Sequence, residues 1–180
     1  MKEVIRMNKF REVMNTIMRF LNAGALAFLT LLAVLQVITR YLLNDSSTWS
    51  EELASYMFAW VTLLGAAYVF GQMGHMNIPI LIERLSQKMQ KYLMVIIQLI
   101  ILAFAVIVLI YGGLQITSLT MGQMSSSLGV PMGYFYLSLP ISGVFTAIYT
   151  VLNLYDIFAD KEDVVEDTPG RDLDDEKREM

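Results

Sequence analysis

The fold of this chain is decided by residues 92–155, which read YLMVIIQLIILAFAVIVLIYGGLQITSLTMGQMSSSLGVPMGYFYLSLPISGVFTAIYTVLNLY. These 64 residues contain no Asp, Glu, Lys or Arg. A bilayer core of about 30 Å is crossed by about 20 apolar helical residues, so the stretch is long enough for two spans. Residues 20–39 and 53–82 are also uncharged, and each can hold one more span. The sequence therefore predicts a membrane protein that crosses the bilayer four times.

The composition of the whole chain agrees with this prediction. Of its 180 residues, 56% are hydrophobic and only 17% are charged, whereas a soluble domain has about 25% charged residues. Backbone groups in lipid must be satisfied inside a helix or a closed barrel, and no even succession of alternating strands appears. We expect an all-α integral membrane protein with transmembrane helices at residues 20–43, 49–72, 92–115 and 131–157.

Three segments outside the spans have their own patterns. Residues 1–19 and 78–90 repeat apolar side chains at helical spacing with charged side chains opposite, which is typical of helices in the membrane interface. A soluble amphipathic helix has the same pattern, but the adjacent spans favour the interface. Residues 158–180 are acidic and poor in large apolar side chains, which predicts a disordered tail. The organisation is an amphipathic start, a four-span domain over residues 20–157 and this tail.

The distribution of basic residues predicts the orientation. The first 19 residues contain five basic side chains and residues 84–91 contain three, whereas the two alternate connections contain none beyond Arg40. Basic loops stay in the cytoplasm, so both termini are expected there. The first apolar stretch is longer than the 7 to 15 residues of a signal peptide, so we expect it to be retained.

Several function classes are excluded by what the sequence lacks. It has no cysteine and one histidine, His75, so a thiolate site or a haem held by two of its own histidines is impossible. No catalytic triad, phosphate-binding loop or paired catalytic carboxylates can be assembled, so we expect neither an enzyme nor a cofactor nor a nucleic-acid partner. The span centres also lack the ionisable residues that mark ion pathways. These absences favour a scaffold for a partner over a conducting protein.

The polar residues near the ends of spans one and two allow two interpretations. Thr48 and Glu51 fit a capping box at the start of span two, whereas Glu52 shares a helical face with Tyr56 and Trp60 and is expected to point at a neighbouring helix or a partner subunit. Arg40 either snorkels to the headgroups or pairs with one of these carboxylates across the short hairpin.

Small side chains and the histidine are ambiguous in the same way. Ser55, Ala59, Thr62 and Ala66 on span two, and Ser142, Thr146 and Thr150 on span four, form stripes that let helices approach closely, within this chain or against another subunit. His75 is interpreted as an interfacial hydrogen-bonding group, and the alternative is a ligand or a proton relay.

The motifs resemble a known family, the small (DctQ-type) membrane subunit of tripartite ATP-independent periplasmic (TRAP) transporters. The similarity runs from about Arg19 to Leu154. Its motifs here are Arg40-Tyr41, Trp49-Ser50-Glu51-Glu52-Leu53-Ala54, Gly65-Ala66-Ala67-Tyr68, Gly74-His75 and Leu128-Gly129-Val130-Pro131-Met132, followed by Tyr136 and Pro140. Met76 departs from the β-branched residue that the family usually has after the histidine.

The resemblance implies a multi-pass protein of the bacterial inner membrane with two partners. One is a large membrane subunit that moves an organic acid, such as a sialic acid or a C4-dicarboxylate, with a sodium gradient, and the other is a periplasmic binding protein. The candidate interface or structural residues are Arg40, Trp49, Glu51, Glu52, Tyr56, Trp60 and His75. The candidate docking residues are Asn44, Asp45, Ser46, Ser47 and Gln123.

Two alternatives compete with this interpretation. A small four-span transporter that acts as a homodimer would need a membrane-embedded carboxylate for proton coupling, which the uncharged spans do not supply. The membrane anchor of a respiratory complex would need haem-ligating histidines in its spans.

Overall fold

The computed structural model describes residues 2–42, 48–72 and 87–158, with side chains described from residue 9 in the first range and from residue 89 in the third. The helices are α1 (Lys2–Leu42), α2 (Thr48–Gly71), α3 (Gln87–Phe104), a π-helical segment (Ala105–Gly112), α4 (Gly113–Thr120), α5 (Gly133–Tyr136) and α6 (Ser138–Phe158).

Within the described ranges, four helical stretches are long and apolar enough to cross a membrane. They are Lys9–Leu42, Thr48–Gly71, Met89–Thr120 and Gly133–Phe158. The third combines α3, the π segment and α4, and the fourth combines α5 and α6. The predicted all-α class with four spans is confirmed. The 78–90 helix lies almost entirely outside the described residues, as does the acidic tail after Phe158.

Helix α1 joins the N-terminal amphipathic segment and the first span without a break. Its 41 residues extend about 61 Å at 1.5 Å per residue, twice the thickness of the bilayer core. Met14 and Met18 are buried in a cluster with Leu64 of α2 and Tyr149 of α6. The N-terminal segment therefore packs on the bundle through its methionines, while Phe10 and other large apolar side chains of α1 are exposed.

Helix α6 is the centre of the bundle, because it packs against α2, α3, the π segment and α4. Its buried residues recur every three or four positions and are mostly small or polar: Ser138, Pro140, Ser142, Gly143, Thr146, Tyr149, Thr150, Asn153 and Ile157. The threonine hydroxyls on this stripe donate to carbonyls of their own helix, with Thr146 Oγ1 2.8 Å from the Ser142 oxygen and Thr150 Oγ1 2.7 Å from the Thr146 oxygen. Satisfied in this way, they can be buried without a partner on the next helix.

The stripe on span two behaves differently from the stripe on α6. Ser55 and Thr62 are exposed, and the buried residues of α2 are instead Ser50, Leu64, Ala67 and Gly71. The stripe of α6 thus packs within the chain, whereas the stripe of α2 faces outward only in part, because Ala59 and Ala66 are half-buried.

Two glycines permit the close contact between the third and fourth spans. A Cβ on Gly143 of α6 would lie 2.7 Å from Leu109 Cβ and 2.9 Å from Ile110 Cγ1 of the π segment. A Cβ on Gly113 would lie 2.9 Å from Leu139 Cβ and from Pro140 Cδ. Each contact is closer than carbon atoms normally approach, so the third and fourth spans can pack at this distance only with glycine.

Gly143→Ala is expected to destabilise the chain by about 1 to 3 kcal/mol, the usual cost of overpacking a filled contact. The control is Gly24→Ala on α1, where nothing lies within 4 Å of an added Cβ; loss of a helical glycine there is neutral or stabilising by up to about 1 kcal/mol. Unfolding of the purified chain in mixed micelles measures both changes. Equal stability of the two variants would show that the contact at Gly143 is loose.

Candidate functional site

The polar contacts between helices gather at the two ends of the bundle. One cluster surrounds Glu52 near the start of α2, and the other surrounds Arg11 beside Gly71 at its end. Gly71 lies nineteen positions after Glu52 on α2, a distance of about 29 Å along the helix. This is close to the thickness of the hydrocarbon core, so each cluster lies near one membrane surface.

At the Glu52 end, the carboxylate binds the connection between the third and fourth spans. Glu52 Oε2 accepts the backbone N–H of Ser127 at 2.8 Å and that of Leu128 at 3.2 Å. Glu52 Oε1 accepts the hydroxyl of Tyr56 at 3.2 Å. A carboxylate bound by two amides fixes the loop on α2, because charge-assisted hydrogen bonds are stronger than neutral ones.

The bound loop, residues 121–132, is folded by its own backbone. Ser125 N–H donates to the Val130 oxygen and Met132 N–H to the Gln123 oxygen, both at 2.8 Å. Gly129 completes the turn with a φ of 65°, a conformation that glycine adopts without steric cost. This explains the glycine in the Leu128-to-Met132 motif. Gln123 is exposed in the same loop.

The other residues on the predicted face of α2 contact the start of the fourth span. Trp60 Nε1 donates to the Tyr134 oxygen at 3.3 Å. The Tyr56 and Phe135 rings have centroids 5.0 Å apart, a normal distance for an aromatic pair. Glu52, Tyr56 and Trp60 thus act together, one turn apart, in clamping the loop and α5 onto α2.

In the described part of the hairpin, a side-chain amide of span one binds the backbone of span two. Gln36 Nε2 donates to the Ser50 oxygen at 2.6 Å. Arg40 lies in the cleft beside Glu51, but within the described ranges it forms no ion pair, so the expected pairing with Glu51 or Glu52 is not seen. The carboxylate of Glu52 faces the loop, and Arg40 is left exposed at the end of α1.

The remaining predicted residues divide into described and undescribed ones. Helix α2 begins at Thr48, one residue before the first helical position that a capping box with Thr48 as its N-cap predicts. Glu51 is exposed, and Trp49 is 45% exposed near the same membrane surface. Asn44, Asp45, Ser46, Ser47 and His75 lie outside the described residues.

At the Arg11 end, one guanidinium joins three helices. Arg11 Nη1 donates to Asp156 Oδ2 at 2.6 Å, and Nη2 donates to the Gly71 oxygen at 3.0 Å and to Asn153 Oδ1. Asp156 is 13% exposed and Arg11 is 28% exposed, so the pair is partly withdrawn from water. Arg11 thereby links α1 to the ends of α2 and α6.

A second layer of contacts lies directly above this pair. Asn153 Nδ2 donates to the Phe70 oxygen at 3.3 Å, and the Tyr149 hydroxyl donates to Asn15 Oδ1 at 2.8 Å. The Tyr149 ring lies flat against Gly71, where an added Cβ would come within 2.5 Å of it. The three helix ends are therefore fixed in both direction and spacing.

The sequence interpretation missed this cluster. Arg11 lies on the charged face of the amphipathic pattern that predicts an interfacial helix, and that pattern names no partner for it. Asn153 and Asp156, three residues apart at the end of an otherwise apolar span, were the available signal. A polar pair facing one side of a helix end needs a partner, but the sequence does not say which basic residue supplies it.

Both clusters use their polar groups to hold helices. The described ranges contain no group of three or more His, Cys, Asp or Glu side chains that could hold a metal ion. Between the clusters, residues 20–39, 53–72 and 92–155 carry no charge. The fold thus defines a multi-pass membrane protein, and the polar contacts described above hold its helices together.

Comparison with known proteins identifies the class more closely. Residues 29–160 match the family model of the DctQ component of tripartite ATP-independent periplasmic transporters. Because the match covers most of the chain, this protein belongs to that family and is a small permease subunit of a TRAP transporter.

Individual relatives agree with the family assignment. The chain is 28% identical over 155 residues to the sialic acid TRAP transporter small permease protein SiaQ of Vibrio cholerae, covering 85% of this chain and 88% of that protein. It is 33% identical over 96 residues to a C4-dicarboxylate small permease protein DctQ of the same species, covering 53% and 41%. It is 29% identical over 131 residues to the isethionate TRAP transporter permease protein DctMQ of Oleidesulfovibrio alaskensis, covering 68% of this chain and 20% of that protein.

Arg11→Gln is expected to lower the stability of the chain by about 1 to 3 kcal/mol, because it leaves the Asp156 carboxylate without its cation in a partly buried site. The control is Arg19→Gln, an exposed arginine on the same helix, whose loss is expected to cost under about 1 kcal/mol. Thermal unfolding of the two variants in the same detergent compares them. A smaller effect at Arg11 than at Arg19 would contradict the role of the cluster.

Glu52→Ala is expected to release the 121–132 loop, because the amides of Ser127 and Leu128 lose their acceptor. Hydrogen exchange of peptides from this loop should accelerate by at least about tenfold, which corresponds to a loss of about 1.4 kcal/mol of local stability. Glu51→Ala removes the exposed neighbouring carboxylate and should leave the exchange unchanged. Equal acceleration in both variants would mean that charge, and not the hydrogen bonds, orders the loop.

Proposed function

We propose that this small permease subunit is a rigid scaffold that carries no substrate itself, and that it holds a large, moving TRAP subunit and helps to dock a periplasmic binding protein. The observation that carries the proposal is the distribution of polar contacts. The chain clamps its helices together at both membrane surfaces, around Glu52 and around Arg11, and its spans carry no charge between them. A protein that moves an ion or an organic anion through its own body needs ionisable groups at mid-membrane.

A large membrane partner is supported by the outward surfaces of the bundle. Helix α1 exposes apolar side chains along its whole described length, and the small residues Ser55 and Thr62 of α2 also face outward. Helices associate in lipid through close packing, which small residues allow. The isethionate permease relative supports the same conclusion, because the matched segment is only a fifth of that protein.

The proposed orientation places the Arg11 end in the cytoplasm and the Glu52 end in the periplasm. The basic residues Lys9, Arg11, Arg19 and Lys91 cluster towards the Arg11 end, as the positive-inside rule requires of a cytoplasmic surface. In the bacterial inner membrane this leaves both termini in the cytoplasm and the 121–132 loop in the periplasm.

The periplasmic docking surface is proposed to include Gln123 and the loop that Glu52 fixes, together with residues 44–47. Ordering the loop beforehand removes part of the entropy that a binding protein would otherwise lose on docking. Uncharged polar side chains such as Gln123 and Ser126 suit a contact that must form and break in every transport cycle. By similarity to the relatives, the substrate is an organic acid such as a sialic acid or a C4-dicarboxylate, and the uptake is proposed to be driven by sodium.

The proposal is tested by uptake into proteoliposomes that contain this chain, its large subunit, or both, with a sodium gradient and substrate-loaded binding protein. Uptake is expected only when both membrane subunits are present. Gln123→Arg should lower uptake at least about fivefold at low binding-protein concentration, because a charge at the edge of an interface changes association. Gln72→Arg, the same substitution on an exposed residue at the opposite end of α2, should leave uptake within about twofold.

Three outcomes would contradict the proposal. Uptake by this chain without the large subunit would favour a small homodimeric transporter. A loss of uptake with Gln72→Arg and not with Gln123→Arg would reverse the orientation. Unchanged uptake with both variants, at several binding-protein concentrations, would assign docking to the large subunit. Co-purification of the two membrane subunits is checked for each variant, so that a loss of docking is distinguished from a loss of assembly.

A further inference from the structure

The third span contains a feature that the scaffold role does not explain. Between α3 and α4, the eight residues Ala105–Gly112 form a π-helix. Their sequence, AVIVLIYG, contains no proline, so the departure from α geometry is not caused by a missing N–H. A π-helix binds each N–H to the fifth residue before it and is rare, particularly over more than one turn.

The buried residues on either side of the π segment show what it achieves. Gln98 and Ala105 are buried on the cytoplasmic half of the span, and Gly113, Thr117 and Thr120 are buried on the other half. On an unbroken α-helix, at about 100° per residue, the mean directions of these two sets would lie about 80° apart. The π geometry accommodates one additional residue, which turns the second half of the span back by about 100°. The mean directions of the two sets of buried residues then lie within about 20° of each other.

Both halves of the span need this alignment, because they pack on the same helix. Helix α3 packs on α6, Leu109 and Ile110 of the π segment lie on Gly143, and Gly113 lies on Leu139 and Pro140. The 121–132 loop follows directly after α4, so the rotation of α4 about its axis also decides whether the amides of Ser127 and Leu128 reach Glu52.

We propose that the π segment holds one residue more than an α-helix of the same register needs, and that this residue turns the far half of the third span onto α6 and places the loop against Glu52. The segment is then a positioning device for the loop surface. It follows that removing one residue from the π segment converts it to an α-helix without changing the face that either half presents to α6.

The test compares two single-residue deletions that remove the same side chain from an exposed position. Ile107 lies in the π segment and is 63% exposed, whereas Ile96 lies in α3 and is 53% exposed. Deleting Ile107 leaves the buried residues of both halves where they are. Deleting Ile96 shifts Leu99 and Val106 into the positions of Gln98 and Ala105, and Ala105 is completely buried.

The full-length chain without Ile107 is expected to melt within about 5 °C of the parent, and the chain without Ile96 to melt more than about 10 °C lower or to fail to fold. Hydrogen exchange of the 121–132 loop reports separately on the contact with Glu52, and it should be as slow without Ile107 as in the parent. A large loss of stability or of loop protection on deleting Ile107 would overturn the inference. Equal tolerance of the two deletions would also overturn it, because the register of the span would then have no consequence.

Discussion

The buried stripe of α6 is the contact on which the rest of the structure depends. In lipid, apolar side chains gain little by leaving one apolar surface for another, so helices associate through close packing and satisfied polar groups. Helix α6 meets both requirements. Gly143 lets the third span approach to backbone distance, and the hydroxyls of Thr146 and Thr150 are satisfied on their own helix. The other spans can therefore pack around α6 without supplying a specific polar partner along most of its length.

The polar clusters near the two membrane surfaces fix the rotation and register of the helices, which packing of small side chains alone does not. Helices that touch only through small side chains can slide or rotate at modest cost, whereas charge-assisted hydrogen bonds have one geometry. Arg11 fixes three helix ends at one surface, and Glu52 fixes a loop and the start of the fourth span at the other. A helical bundle that is fixed at both membrane surfaces suits the proposed role of a subunit that keeps its shape while its partner moves. In the proposed function, the outward apolar face of α1 and the exposed Ser55 and Thr62 of α2 are the surfaces available to that partner.

The fold class and the spans could be predicted because they follow from local chemistry. Long uncharged stretches have few stable alternatives to a helix in lipid, and the predicted spans agree with the observed helices apart from their ends. The face of α2 that carries Glu52, Tyr56 and Trp60 was also predictable, since helical spacing fixes which residues share a face. What that face contacts was left open between a neighbouring helix and a partner, because spacing on one helix carries no information about the next.

The sequence of this protein determined its class, its four spans and its family motifs. Hydropathy, helical periodicity and residue order depend only on the linear sequence and not on contacts between distant residues. Only the tertiary structure decided the partners: Arg11 with Asp156, Glu52 with the amides of Ser127 and Leu128, and the two halves of the third span with α6. Arg11 and Asp156 are 145 residues apart, and the local pattern around each of them does not say which residue is its partner. The π segment was hidden for the same reason, since it is required by the packing of α6 against both halves of a span and not by any preference of the residues that form it.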